Sequence, residues 1–205
     1  MSDLPLPLIL ASGSPRRAEL LSNMGLSFSV FVTDTDESRL ENEKPLDFVR
    51  RLAQDKARAA LAVVKKDKGK QEKAKHESPA ILAADTIVTL GDKVFGKPKD
   101  FADAQNMWRA LANQQHHVIT AVCLATHDKL EVVHCLTKVH FDSISETQML
   151  AYWNSGDPVD KAGAYAIQGL ASAWVQLIDG SYSNVVGLPL YEVNQLLKTI
   201  HKNWL

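Results

Sequence analysis

Residues 4–11 form an apolar run that breaks into Ser12-Gly13-Ser14-Pro15-Arg16-Arg17 and resumes with helical spacing at Ala18, Leu20, Leu21 and Met24. Ser14 suits a helix N-cap and Pro15 the first helical position, so the pattern predicts strand, tight turn, helix. Gly25 supplies a stop, and residues 28–32 predict a second strand that ends in the acidic cluster Asp34, Asp36 and Glu37. Over residues 45–64, Val49, Leu52, Ala53, Ala60, Val63 and Val64 share one helical face, and Lys56 falls on that same face. Its ammonium either meets an anion there or snorkels from the edge of the core. Residues 81–90 are apolar on both alternating faces, the mark of a strand buried within a sheet, and Asp85 interrupts them. Gly91-Asp92 predicts a hairpin turn with residues 93–97 returning, and simple counting sets Lys97 opposite Thr86, next to Asp85.

The second half continues the alternation. A helix is expected over 101–113, strands over 118–125 and 132–141, and a helix opened by capping-box spacing at Ser145 and Gln148 and stopped at Gly156. Small residues dominate 162–169, which implies backbone packed closely against a strand or a ligand. A strand over 174–178, a turn at Gly180 and a last helix opened by Pro189 complete the chain. This order predicts an α/β protein with a mixed sheet. Residues 65–78 are lysine-rich and of low complexity, and are expected to be a solvated, mobile surface insertion.

Composition narrows the function classes. The chain has 205 residues, 45% hydrophobic and 23% charged, which suits one globular domain spanning 1–205. A net charge of -1 argues against a general nucleic-acid coat, and the lysine-rich stretch has no interleaved aromatics for base stacking. No secretory start or bilayer-spanning run is visible, so no membrane partner and a cytoplasmic setting are expected. Cys123 and Cys135 lie in apolar strands and read as inert. His116 and His117 read as surface residues of a polar loop.

Candidate chemistry gathers around misplaced charge. Two arginines in the first turn of a helix are unfavourable by about 0.3–1 kcal/mol each unless an anion accompanies them. With free amides and the Ser12 and Ser14 hydroxyls they would form a phosphate cradle; the alternative is a surface helix whose arginines reach solvent. A carboxylate inside a buried strand has a desolvation cost of several kcal/mol unless it is paired, hydrogen-bonded or metal-bound. For Asp85 the available partners are Lys97, Lys56, the arginine pair, or a divalent cation shared with Glu37; a structural salt bridge is the plainer alternative. Many cations around one or two carboxylates fit a polyanion site with a metal or a general base. No P-loop, zinc-protease or nucleophile-elbow motif occurs.

Leu10-Ala11-Ser12-Gly13-Ser14-Pro15-Arg16-Arg17, Ala84-Asp85-Thr86-Ile87-Val88, Gly96-Lys97-Pro98, Asp160-Lys161-Ala162-Gly163-Ala164-Tyr165 with Ile167-Gln168-Gly169, and Gly187-Leu188-Pro189 together resemble the Maf family of nucleoside triphosphate pyrophosphatases. The resemblance covers the chain apart from the lysine-rich insertion. It implies an elongated mixed sheet with flanking helices and two lobes around a nucleotide cleft, similar to the inosine triphosphatases. It also implies hydrolysis of the α–β phosphoanhydride, giving a nucleoside monophosphate and pyrophosphate. Carried over by motif, Asp85 would be the proton acceptor, Lys56 and Lys97 would act with Arg16 and Arg17 on the triphosphate, and Ser12 would add a hydroxyl. Glu37 with Asp85 would hold Mg²⁺ or Mn²⁺, while Thr86, Arg16 and Gln168 match positions linked to specificity. Gln168 implies dTTP and UTP as substrates; a second subgroup, acting on 7-methylguanosine triphosphate, has an acidic residue there. The amide offers a donor and an acceptor to uracil or thymine, whereas a carboxylate only accepts. The family's dimers imply a homodimer; the alternatives are a 7-methylguanosine triphosphate pyrophosphatase or, from the family's association with arrest of septum formation and cell division, a regulatory nucleotide-binding module.

Overall fold

The computed structural model describes residues 6–68 and 79–201. Seven strands form one mixed sheet in the order β2-β1-β3-β5-β6-β7, with β4 also paired to β3. They are β1 (Leu8–Ala11), β2 (Phe28–Val30), β3 (Ala80–Leu90), β4 (Lys93–Phe95), β5 (Gln115–Ala125), β6 (Leu130–Phe141) and β7 (Val175–Asp179). The helices are α1 (Pro15–Asn23), α2 (Pro45–Lys68), α3 (Phe101–Leu111), α4 (Glu146–Asn154), α5 (Tyr182–Val186) and α6 (Leu190–Ile200). The expected α/β architecture with flanking helices is present. Among the described residues no helix is long and apolar enough to cross a membrane.

The central strand, β3, organises the molecule. Its side chains alternate between two buried layers, as its two-faced apolar pattern on either side of Asp85 requires. Leu82 and Ala84 join Leu21 of α1 and Val193, Leu196 and Leu197 of α6. Ile81, Ala83 and Ile87 meet Val49, Leu52, Ala53, Ala57 and Ala60 of α2 on the other face. A third cluster, built on Trp108, Tyr152 and Trp174, packs against Val88, Val139 and Phe141.

One edge of β3 is continuous and the other is split. Along the first, β5 pairs antiparallel from Ile81 to Thr89. Along the second, β1 pairs parallel with residues 80–83 and β4 antiparallel with residues 88–90. Residues 84–87 therefore have no strand neighbour on that side, and Asp85 and Thr86, pointing to opposite faces, both reach the gap.

Several boundaries differ from the sequence pattern. The hairpin has the counted register, Val88 opposite Phe95, but β4 peels away before Lys97 because the Gly96 carbonyl turns to accept from Gly163 N at 3.0 Å. Gly163 has φ +70°, and a Cβ there would meet Val88 Cγ2 at 3.0 Å, so the small residues do pack closely on β3. Helix α2 continues to Lys68; the rest of the lysine-rich stretch, 69–78, lies outside the described residues. The five-residue α5 is too short to leave a periodic signature.

His116 is not a surface residue. Strand β5 begins at Gln115, earlier than the local polarity indicates, because β6 pairs along its whole length. His116 is fully buried, edge-on to Phe141 and Tyr165, with Nε2 2.8 Å from the Tyr165 hydroxyl. Burial lowers its pKa from 6.5 to about 4. The unfolded chain thus takes up a proton at this ring below about pH 6.5 and the folded chain only below about 4. Its contribution to stability is full above 6.5, is lost as pH falls towards 4, and amounts to at most about 3 kcal/mol. His116→Gln is expected to flatten the stability profile across that interval in urea unfolding; an undiminished slope would assign the dependence to other groups.

Candidate active site

A cleft of about 580 Å³ lies over the gap in the β3 edge. Its walls are the β1–α1 turn, the chain after β2, α2, β3, Gly96 and Lys97, residues 160–168 and the end of α5.

The β1–α1 turn is an incomplete helix start. Ser14 occupies the N-cap of α1 and Pro15 follows, but the Ser14 side chain makes no capping bond. Ser14 N instead donates to Ser12 Oγ at 3.2 Å, and Arg17 NH1 donates to the same oxygen at 3.1 Å. With both lone pairs used, Ser12 has only its hydroxyl hydrogen left to give, which suits an acceptor-rich ligand. The uncapped first turn places partial positive charge at the same spot.

The two arginines divide the work. Arg17 Nε donates to Gly187 O at 2.8 Å, NH1 also to Ala84 O at 2.7 Å, and NH2 to Thr86 Oγ1 at 2.9 Å. Its guanidinium fills the gap beside β3, where it satisfies a carbonyl that no strand reaches. Burial draws its pKa below the ordinary arginine value, and the charge of Asp85 opposes that shift. Arg16 lines the cleft and makes no hydrogen bond or ion pair among the described residues. Arg16, then, holds the uncommitted guanidinium.

Opposite them, Lys56 reaches out of the apolar face of α2 to bridge two carboxylates. Its Nζ lies 2.5 Å from Asp85 Oδ1 and 2.6 Å from Glu37 Oε1, with the lysine side chain only 12% exposed. An anion, rather than a solvated edge, accounts for a lysine on that face. Asp85 Oδ2 has no protein partner among the described residues and is not sealed from the cleft. Burial works against ionisation of Glu37, yet the hydrogen bond and charge of Lys56, with Lys97 and Arg17, hold its pKa below the usual carboxylate value. Glu37 and Asp85 thus offer hard oxygen donors around one cationic position. No third His, Cys, Asp or Glu completes a metal cluster among the described residues.

Lys97 lines the cleft but stands at its exposed rim, 3.1 Å from Asp160 Oδ1 rather than beside Asp85. Gln168 is exposed at the other wall, on a loop fixed from beneath: Ala166 N donates to Tyr152 Oη at 2.9 Å, and that hydroxyl donates to Asp157 Oδ2 at 3.0 Å. Asp160, Lys161 and Tyr165 also line the cleft; apart from the small residues around them, composition and periodicity gave them no signal. The cysteines fit their inert reading: both are free, and burial raises Cys123 to about 12 and Cys135 to about 11.

The family described as Maf-like protein matches residues 7–200. A dTTP/UTP pyrophosphatase of Aliivibrio fischeri is 46% identical over 190 residues, covering 93% of this chain and 96% of that one. Proteins of the same name from Pseudoalteromonas atlantica and Hahella chejuensis are 47% and 45% identical, each over 93% of this chain and over 95% and 90% of their own lengths. An uncapped helix start, a buried aspartate held by lysine, and a match along nearly the whole sequence converge on one conclusion: this chain belongs to the Maf family.

Proposed function

We propose that the protein is a nucleoside triphosphate pyrophosphatase that hydrolyses dTTP and UTP to the nucleoside monophosphate and pyrophosphate. The observation that carries this reading is the convergence on one cleft of an unpartnered Asp85 oxygen, the open start of α1, the Ser12 hydroxyl and the Arg16 guanidinium. A triphosphate is the kind of ligand that such a set of donors neutralises, and the printed names of the relatives agree with it.

In this reading Arg16, Ser12 and the amides of α1 hold the phosphates, with Lys97 closing over them from the rim. Lys56, bonded to Asp85 Oδ1, holds the carboxylate in place with Oδ2 free for the cleft. Asp85 Oδ2 accepts a proton from a water molecule whose oxygen attacks across the α–β anhydride; the bridging P–O bond breaks and pyrophosphate leaves with its electron pair. Such a reaction needs neutralised charge and a positioned water more than a protein nucleophile. Arg17, bound on several sides by the protein, acts as the fixed positive frame of the site.

A divalent cation, Mg²⁺ or Mn²⁺, belongs to the same proposal. Glu37 and Asp85 would hold it, and a pair of carboxylates completed by phosphate and water oxygens suits these ions. When bound it supplies charge neutralisation at the phosphates. The homodimer expected from the family and the cytoplasmic setting expected from the sequence are part of this reading.

Asp85→Asn is expected to lower pyrophosphate release from dTTP by roughly two to four orders of magnitude, as loss of a general base does, while triphosphate binding survives. Calorimetry with a non-hydrolysable analogue checks binding; full turnover by the variant would remove Asp85 from its role. For specificity, Gln168→Glu is expected to weaken dTTP turnover and improve that of 7-methylguanosine triphosphate. A side-by-side substrate panel with unchanged preference would show that Gln168 does not read the base.

A further inference from the structure

Behind the cleft runs a hydrogen-bonded chain that the proposed chemistry leaves unused. Thr86 Oγ1 lies 2.9 Å from Thr120 Oγ1 on β5, and Thr120 Oγ1 donates to Asn184 O on α5 at 3.0 Å. Asn184 Oδ1 accepts from Thr120 N at 3.1 Å, while Nδ2 donates to Val118 O at 3.0 Å and to Thr137 Oγ1 at 2.8 Å. Thr137 Oγ1 also accepts from Ser181 N and donates to Ser181 O. Thr120, Thr137 and Asn184 are each 0% exposed.

The direction of this chain is fixed by exhaustion. A hydroxyl has one hydrogen to give. Thr120 spends its hydrogen on the Asn184 carbonyl, so towards Thr86 it can only accept, and Thr86 must donate to it. Arg17 NH2 simultaneously takes one Thr86 lone pair. The Thr86 hydroxyl therefore reaches the cleft with its hydrogen spent and a single lone pair free. The alternative acceptor, Gly187 O, lies 3.5 Å away, at the outer limit of a hydrogen bond.

We propose that Thr120 and Asn184 are positioning residues for nucleotide selection: they lock Thr86 as an acceptor facing the cleft, so that it receives a hydrogen-bond donor of the nucleotide and disfavours an acceptor at that point. This inference rests on the reading of the cleft as a nucleotide site. Neither residue lines the cleft, and both act through Thr86 and the Arg17 guanidinium bound to it.

The test compares Thr120→Val, which keeps the shape and removes the hydroxyl, with Thr120→Ser, which keeps the hydroxyl. Steady-state kinetics with dTTP, UTP and CTP, thermal melting, and calorimetry with a non-hydrolysable UTP analogue are read together. In Thr120→Val the Thr86 hydrogen is released, so KM for dTTP and UTP is expected to rise about tenfold, the size of one well-placed hydrogen bond, with kcat within about twofold of wild type. Discrimination against CTP, which presents an acceptor at N3 where UTP presents an N–H, should narrow and analogue affinity fall in parallel, while Thr120→Ser restores both. Wild-type KM and discrimination in Thr120→Val overturn the proposal, as does an equal loss of kcat and melting temperature in both variants, the sign of a packing role alone. A wild-type protein that leaves dTTP and UTP intact overturns the functional reading itself, and this proposal with it.

Discussion

The constraint on which the site depends is the unshared edge of β3. A central strand that gives one edge to β1 and then to β4 leaves a stretch of backbone unpaired in the interior, and buried carbonyls and amides there must find other partners. Arg17 meets this need by bonding Ala84 O from the neighbouring helix, and it ties Gly187 O to the same point. The break in the ladder also lets consecutive residues of opposite orientation, Asp85 and Thr86, face one cavity. In a fully paired sheet one of them would be hidden from any ligand that met the other.

Charge in the cleft is arranged so that no ionised group is stranded. The Asp85 carboxylate would be costly in the layer between β3 and α2 were it not met by Lys56, and Lys56 would be costly on an apolar helix face without its two carboxylates. Each misplaced charge justifies the other. Among the described residues the same arrangement leaves Asp85 Oδ2, Glu37 Oε2 and the Arg16 guanidinium without protein partners, and those are the groups with capacity to act on something else.

The parts legible in the sequence were those whose local pattern carries a physical contradiction. Asp85 within an apolar strand and Lys56 among alanines and leucines both announce a hidden partner, and the structure supplies one for each. Long, strongly patterned elements such as α2 and β3 were equally readable. Features fixed by distant pairing were not. The polar neighbours Gln114 and Gln115 disguise His116, whose burial follows from β6 and from Phe141 and Tyr165. Lys97 departs from its counted position because Gly163, far along the chain, captures the backbone at Gly96. Thr120 and Asn184 look ordinary in a strand and a turn, and their importance lies in hydrogen bonds that no periodicity encodes.

Lys56 acts from the middle of a helix that runs from Pro45 to Lys68. Each residue added or removed between Pro45 and Lys56 would swing that ammonium by about 100° around the axis and carry it off the carboxylates. Beyond Lys56 the same change alters only what is downstream, and past the contacts with the sheet it alters nothing in the cleft. A change in chain length is thus costly in the first half of this rod and cheap at its far end, which is where the lysine-rich stretch begins.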